Sequence, residues 1–208
     1  MITISNVSVG GIDSAIKAMR NPLNSWEKSD SYHREGNDFI VGDADLQLAK
    51  NLVKAGTDHS KFMRMITVWA DINAPLYFWA ELDTYKIGTV RNSCSKMHTI
   101  HKRDLTLCDF STEHLKPQAL QQLHELIDTI NSYRQNFVEK HDKDDWWQMI
   151  QLLPNSFNQK ATMMFNYQTL RGLYKVRKDH KLDEWHTFCD WVKTLPYSEL
   201  ITTDFSKE

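Results

Sequence analysis

Apolar positions along the chain change period several times, and each change predicts an element. Residues 2–9 alternate and predict an edge strand, which Gly10-Gly11 interrupts. Ile12, Ala15, Ile16 and Met19 then follow helical spacing until Asn21-Pro22 closes the helix after Arg20. Residues 23–37 are polar and rich in turn formers, so they predict a surface loop with Trp26 as a packing anchor. Asp43 suits the N-cap of a helix carrying Leu46, Ala49 and Val53 and ended by Gly56. Residues 62–72 alternate, with Phe62, Ile66, Val68, Ala70 and Ile72 on one side and Met63, Met65 and Trp69 on the other. That pattern reads as a strand covered on both faces, a helix being the alternative for so apolar a run.

The pattern is strongest over residues 73–98. Ala74-Pro75 starts a helix, since proline at the first helical position gives up no useful N–H. Phe78, Trp79 and Leu82 fall on its core side, while Tyr77, Glu81, Thr84 and Tyr85 share another, and Gly88 marks its end. Beyond lies a loop crowded with donors: Arg91, Asn92, Ser93, Ser95, Lys96 and His98. A buried helix that delivers a polar loop is a common way to present a ligand site. Residues 104–110 predict a short strand. From Pro117 a long helix runs through about Val138, with Leu120, Leu123, Leu126, Ile127, Ile130 and Phe137 as its stripe, either an arm in subunit contacts or a plain surface helix. Residues 142–145 supply an acidic first turn to a helix with Trp146, Trp147, Ile150 and Leu153, stopped by Pro154. Residues 166–178 predict another helix, and Leu182, Trp185, Cys189 and Val192 line a last one before Pro196. The elements add up to a mixed chain, α+β within the broad α/β class: a small, mostly antiparallel sheet flanked by helices, with a helical C-terminal half. A single domain over residues 1–208 is expected.

Composition narrows the function more than the fold. A formal charge of −2 argues against a general electrostatic nucleic-acid binder. Three widely spaced cysteines, Cys94, Cys108 and Cys189, match neither a disulfide framework nor a zinc site, and a reducing compartment is the simplest setting for them. The first residues show no basic stretch followed by an apolar run, and no uncharged run has the length of a membrane span. A cytoplasmic protein without a membrane partner or a bound metal is expected. His180 with Asp183 and Glu184 has metal-binding residue types, but such a run is more often a solvated helix start.

Residues 73–98 resemble the signature region of the flavin-dependent thymidylate synthases, whose motif reads R-H-R-x-x-S-x-N-E-x-S-x-R-Y. His59 meets the first histidine of the preceding H-x-T-P-F-E-H motif, Ala74-Pro75 meet the family's Ala-Pro, and Glu81 meets a glutamine in the helix. Thr84, Tyr85 and Lys86 stand at R-H-R, and Thr89 at the serine that follows. After one inserted residue, Asn92 and Ser95 meet the Asn and Ser of N-E-x-S. Ser93 replaces the Glu, Met97 the Arg and His98 the Tyr. A second block agrees in layout. Leu153-Pro154 is followed by Asn166, and Val176-Arg177 take the place of a Leu-Arg pair. The arginine that follows Asn166 in the family is absent, with Gln168 near its place. Ala18-Met19-Arg20 is similar to an Ala-Ala-Arg near the family's N-terminus.

The resemblance implies a flavoprotein fold and a set of roles. His59, Thr84, Tyr85, Lys86 and Arg177 would face FAD, and Glu81, Asn92, Ser95 and Lys96 would face a pyrimidine nucleotide. It also implies a homotetramer, since family sites form between subunits. Reduced nicotinamide and a folate one-carbon donor belong to the family chemistry, in which the flavin carries hydride and no side chain is the nucleophile. Two readings follow: an enzyme of reductive one-carbon transfer to C5 of a uracil nucleotide, or a catalytically altered relative that binds a nucleotide as sensor, sponge or regulator. The replacements bear on the choice. Lys86 keeps charge and loses the bidentate fork that arginine offers a phosphate, while Thr84 and Tyr85 keep hydrogen bonding and lose charge. Arg20, Arg91, Lys96 or Arg177 would have to supply what is missing.

Overall fold

The computed structural model describes residues 2–36 and 38–204. In chain order, β1 (Thr3–Gly10) leads to α1 (Ile12–Met19), the short hairpin β2 (Tyr32–His33) and β3 (Phe39–Ile40), and α2 (Asp43–Lys54). Next come β4 (Thr67–Pro75), α3 (Leu76–Leu82), β5 (Thr89–Ser93) and α4 (Lys96–Thr99). The C-terminal half adds α5 (Pro117–Lys140), α6 (Lys143–Gln151), β6 (Asn158–Asn166), α7 (Tyr167–Arg177), α8 (Asp183–Lys193) and α9 (Glu199–Thr202). The main sheet is small and antiparallel, in the order β1-β4-β6-β5, so β1 is an edge strand as its alternation predicts. Among the described residues no helix is long and apolar enough to cross a membrane.

The chain forms two compact units. The first holds residues 2–3, Asp71–Thr84 and Asn92–Thr162. Its core is the α5–α6 hairpin, where Leu123, Ile127, Ile130 and Met149 pack with Ile100, Leu105 and Phe110. The predicted stripe of the long helix supplies that face. The second unit holds Ile4–Ala70, Tyr85–Arg91 and the chain from Met163 onward. Its core is aromatic: Phe165, Tyr167, Trp185 and Phe188 are fully buried, with Trp185 and Phe188 ring centroids 5.5 Å apart edge to face.

Several expectations need correction. Residues 61–64 form a 3-10 turn and β4 begins only at Thr67. Met65 and Trp69 are 46% and 41% exposed, so β4 is covered on one face, not two. α3 stops at Leu82, well short of Gly88, because the Thr84 hydroxyl donates to the Glu81 carbonyl at 2.7 Å and turns the chain there. Arg91, Asn92 and Ser93 lie in β5 rather than in a loop. Residues 104–110 are not a strand: the Asn131 side chain takes the Leu105 N–H and carbonyl at 2.8 and 2.9 Å, doing for that backbone what a neighbouring strand would. β6 was not predicted. Its burial nevertheless alternates, with Ala161, Met163 and Phe165 inside and Lys160 and Thr162 outside.

The polar segment before α2 is ordered by two aspartates. Gly42, not Asp43, is the N-cap, and Asp30 does the capping, accepting from the Ala44 and Asp45 N–H groups at 2.8 and 3.0 Å. A side chain at Gly42 would strike the Asp30 carboxylate at 2.2 Å. Asp45 is wholly buried and accepts from Arg20 Nε at 2.6 Å, the Ser29 hydroxyl at 2.5 Å and the Ser31 hydroxyl at 2.5 Å. Burial pushes its carboxyl up, but the hydrogen bonds from Ser29, Ser31 and Arg20 and the Arg20 charge outweigh that and hold it below the usual aspartate range. Asp45→Asn should therefore destabilise the chain by about 3–5 kcal/mol in urea denaturation, because it strands the buried Arg20 charge. With a depressed folded-state pKa, the Asp45 contribution is complete above the ordinary aspartate range. It is lost as pH falls through that range and then through the folded value. Acid should lower the melting temperature of the parent in this window more steeply than that of Asp45→Asn.

Candidate ligand site at the turn after α3

Within the second unit, two turns meet the N-terminal end of α7. Asn166 caps that helix by accepting from the Thr169 N–H at 2.8 Å. Gly88 lies so close that an added Cβ would sit 2.4 Å from Asn166 Nδ2 and 2.6 Å from the Thr169 hydroxyl. Its φ of +74° also favours glycine. The Thr169 hydroxyl donates to the Ile87 carbonyl at 3.0 Å, and the Thr89 hydroxyl donates to the Tyr85 carbonyl at 2.5 Å. The second turn carries His59. Beside it, the buried Ser60 hydroxyl donates to Gln168 Oε1 at 3.1 Å. His59 and the 85–88 turn are thus tied to the same first turn of α7.

The far end of α7 supplies Arg177. Its Nε donates to the Tyr85 hydroxyl at 3.0 Å. Its guanidinium carbon lies 4.6 Å from the Trp185 ring centroid and 5.4 Å from that of Tyr85. Tyr85 and Trp185 in turn stand edge to face, with centroids 6.5 Å apart. Arg177 therefore clasps the turn to α7 and α8. The outward side is different. Lys86 is exposed and Ile87 is 91% exposed. His59 is exposed as well, on the rim of a cleft of about 770 Å³ walled by Met19, Leu48, Leu52, Phe62 and Met65.

The nucleotide-side residues lie in the first unit. Glu81 is half-buried on α3, and exposed Thr84 is bonded to its carbonyl. Asn92 and Ser95 are exposed and Lys96 is half-buried where β5 passes into α4. Cys94 pins this stretch beside β6: its N–H donates to the Lys160 carbonyl at 2.9 Å and its carbonyl accepts from Gln159 Nε2 at 2.7 Å.

Of the residues predicted from sequence, the structure brings Tyr85 to Arg177 and Thr84 to Glu81. It removes Arg20 from the set of spare charges, because Arg20 is 6% exposed and paired with Asp45. His180 accepts the Leu182 N–H through Nδ1 at 3.2 Å, a local turn contact. Among the described residues no group of His, Cys, Asp or Glu is placed to hold a metal. Sequence reasoning missed Trp185 and Thr169 as partners of the turn. Each reads as an ordinary helical residue, and only the packing of α7 and α8 reveals the link.

No protein-family model matches the chain, and no curated protein matches it. Solved structures do. The flavin-dependent thymidylate synthase ThyX of Helicobacter pylori, solved with FAD and dUMP, is 18% identical with a TM-score of 0.69, covering 97% of each chain. The UMP/dUMP methylase PolB of Streptomyces cacaoi, bound with 5-Br dUMP, is 14% identical with a TM-score of 0.64, covering 97% of this chain and 95% of that one. The chain has the fold of these proteins from end to end.

Two substitutions test the clasp. Arg177→Ala should cost about 2 kcal/mol in urea denaturation, the sum of one hydrogen bond and two cation–π contacts, and Tyr85→Phe about half that. Gly88→Ala should cost more than about 1 kcal/mol from the left-handed backbone alone, with the Asn166 clash added.

Proposed function

We propose that the protein is a flavin-dependent, thymidylate synthase-type enzyme that carries out reductive one-carbon transfer to C5 of a uracil nucleotide. The observation that carries this reading is the end-to-end likeness to two folds solved with uracil nucleotides. The resemblance of residues 73–98, with His59 before them, supports it from the sequence side. FAD, when bound, supplies the hydride; the protein's part is to bind, orient and exclude water. Lys86, His59 and Tyr85 fit a flavin nucleotide in kind: a cation, an imidazole and an aromatic phenol, carried on two turns tied to one end of α7. Lys86 would meet a phosphate as a point charge, and Tyr85, fixed by Arg177, would offer a ring edge. Glu81 can accept from the N3–H of a uracil, and Asn92, Ser95 and Lys96 can bind sugar or phosphate oxygens. A reduced nicotinamide and a folate donor complete this reaction, and a homotetramer is the assembly it expects.

A specific observation favours a second reading, a nucleotide binder with altered catalysis. Among the described residues assigned to the flavin side, Lys86 is the cation that is neither clasped nor paired. Arg177 is clasped between Tyr85 and Trp185, and Arg20 is neutralised by Asp45. Two lost arginine forks, at about 1.5–3 kcal/mol each, weaken phosphate binding by roughly two to four orders of magnitude.

The absorbance spectrum of purified protein separates the readings. A yellow protein with flavin near equimolar, which methylates dUMP or UMP when given a folate donor and reduced nicotinamide, supports the enzyme. A colourless protein that cannot be loaded with FAD but is stabilised by dUMP supports the binder. In either case Lys86→Ala should weaken binding of the phosphorylated ligand at least tenfold without lowering the melting temperature. Unchanged affinity for both FAD and dUMP would show that the turn is not the site.

A further inference from the structure

A second feature of α7 lies apart from the turn and from every residue assigned above. Arg171, Tyr174, Lys175 and Lys178 recur at helical spacing, so they share one stripe. With Lys54 at the end of α2 and the backbone of residues 201–204, they line a pocket of about 160 Å³. Among the described lining residues, Lys54, Arg171, Lys175 and Lys178 are cationic and Asp204 is acidic, a formal sum of three positive charges. The whole chain carries −2, so this concentration is not a property of the composition.

The pocket has a fixed wall. Arg171 Nη1 donates to the carbonyls of Leu200, Ile201 and Thr203 at 3.2, 3.1 and 2.9 Å, which anchors the segment after α9 against α7. The lysines themselves are exposed, with their ammonium groups able to turn inward. A water takes roughly 30 Å³ of liquid volume, so the space takes about five waters, more than a single small anion fills. We propose that this pocket binds a diphosphate group, either as the free ion or as the tail of a nucleotide. The formal charge of the described lining residues has the size and sign to meet a diphosphate near neutral pH, and Tyr174 offers a ring and hydroxyl at the pocket wall. The plainer account is that lysines in the last turns of α2 and α7 complement the helix dipoles. That account predicts an effect on stability and none on ligand binding.

The test uses calorimetry and thermal melting of the full chain with inorganic pyrophosphate, ionic strength being held constant with sodium chloride. Pyrophosphate should bind and raise the melting temperature. The double variant Lys175→Glu/Lys178→Glu should lose about a hundredfold in affinity and Lys54→Ala about tenfold. Lys17→Glu, a charge reversal in the last turn of α1, should bind as the parent does. Uridine diphosphate binding no tighter than pyrophosphate would mean that only phosphates are read; tighter binding would mean that Tyr174 also takes the base. Pyrophosphate that binds no better than sulfate overturns the proposal. So does unchanged affinity in both the double variant and Lys54→Ala.

Discussion

The turn after α3 is set by a glycine pressed against a helix cap. A Cβ added at Gly88 would lie 2.4 Å from Asn166 Nδ2 and 2.6 Å from the Thr169 hydroxyl, so any larger residue would push the cap aside. Everything on the 85–88 turn inherits its position from that contact. With Gly88 seated on the head of α7, the Ile87 carbonyl meets the Thr169 hydroxyl and the Tyr85 hydroxyl meets Arg177. What is left facing outward is Lys86 and Ile87. A backbone held at both ends has little entropy still to lose, so binding an anion has to order only the lysine side chain.

The distribution of arginine follows the same logic. A guanidinium can serve a phosphate or a protein carboxylate, but its planar fork is one resource. Arg20 has gone to Asp45, in a buried network that orders the segment before α2. Arg177 has gone to two aromatic rings. Arg171 has gone to three carbonyls after α9. In these three places the arginine stabilises the fold, and lysines, Lys86 on the turn and Lys175 and Lys178 on α7, are the exposed cations. Lysine binds phosphate as a hydrated point charge, so its contacts are weaker and more sensitive to salt.

Periodicity made the larger helices legible. The stripe of α5, the spacing in α1 and α8, and Asn166 at the head of α7 all stand in the sequence as they stand in the fold. What escaped was set by side chains acting on distant backbone. Asp30 caps a helix that begins thirteen residues later, and Asn131 satisfies Leu105 from 26 residues away, so neither leaves a local mark. The early end of α3 is local, however: Thr84 three residues after Glu81 is a residue type that competes for helix carbonyls. β6 was hidden by its polar half, Asn158, Gln159 and Lys160, although Ala161, Met163 and Phe165 alternate. The candidate site was legible only through resemblance. Tyr85, Lys86 and Arg177 came from motif positions, and the clasp through Trp185 came from packing alone.

The claim at the centre is that the turn seated on α7 is a ligand platform. Amide chemical-shift mapping on isotope-labelled protein, titrated separately with dUMP and with FAD, tests it most directly. The account predicts saturating perturbations at His59, the 85–88 turn and the head of α7 with FAD, and at residues 92–96 with dUMP. Perturbations confined to other surfaces, or none at millimolar ligand, would contradict it.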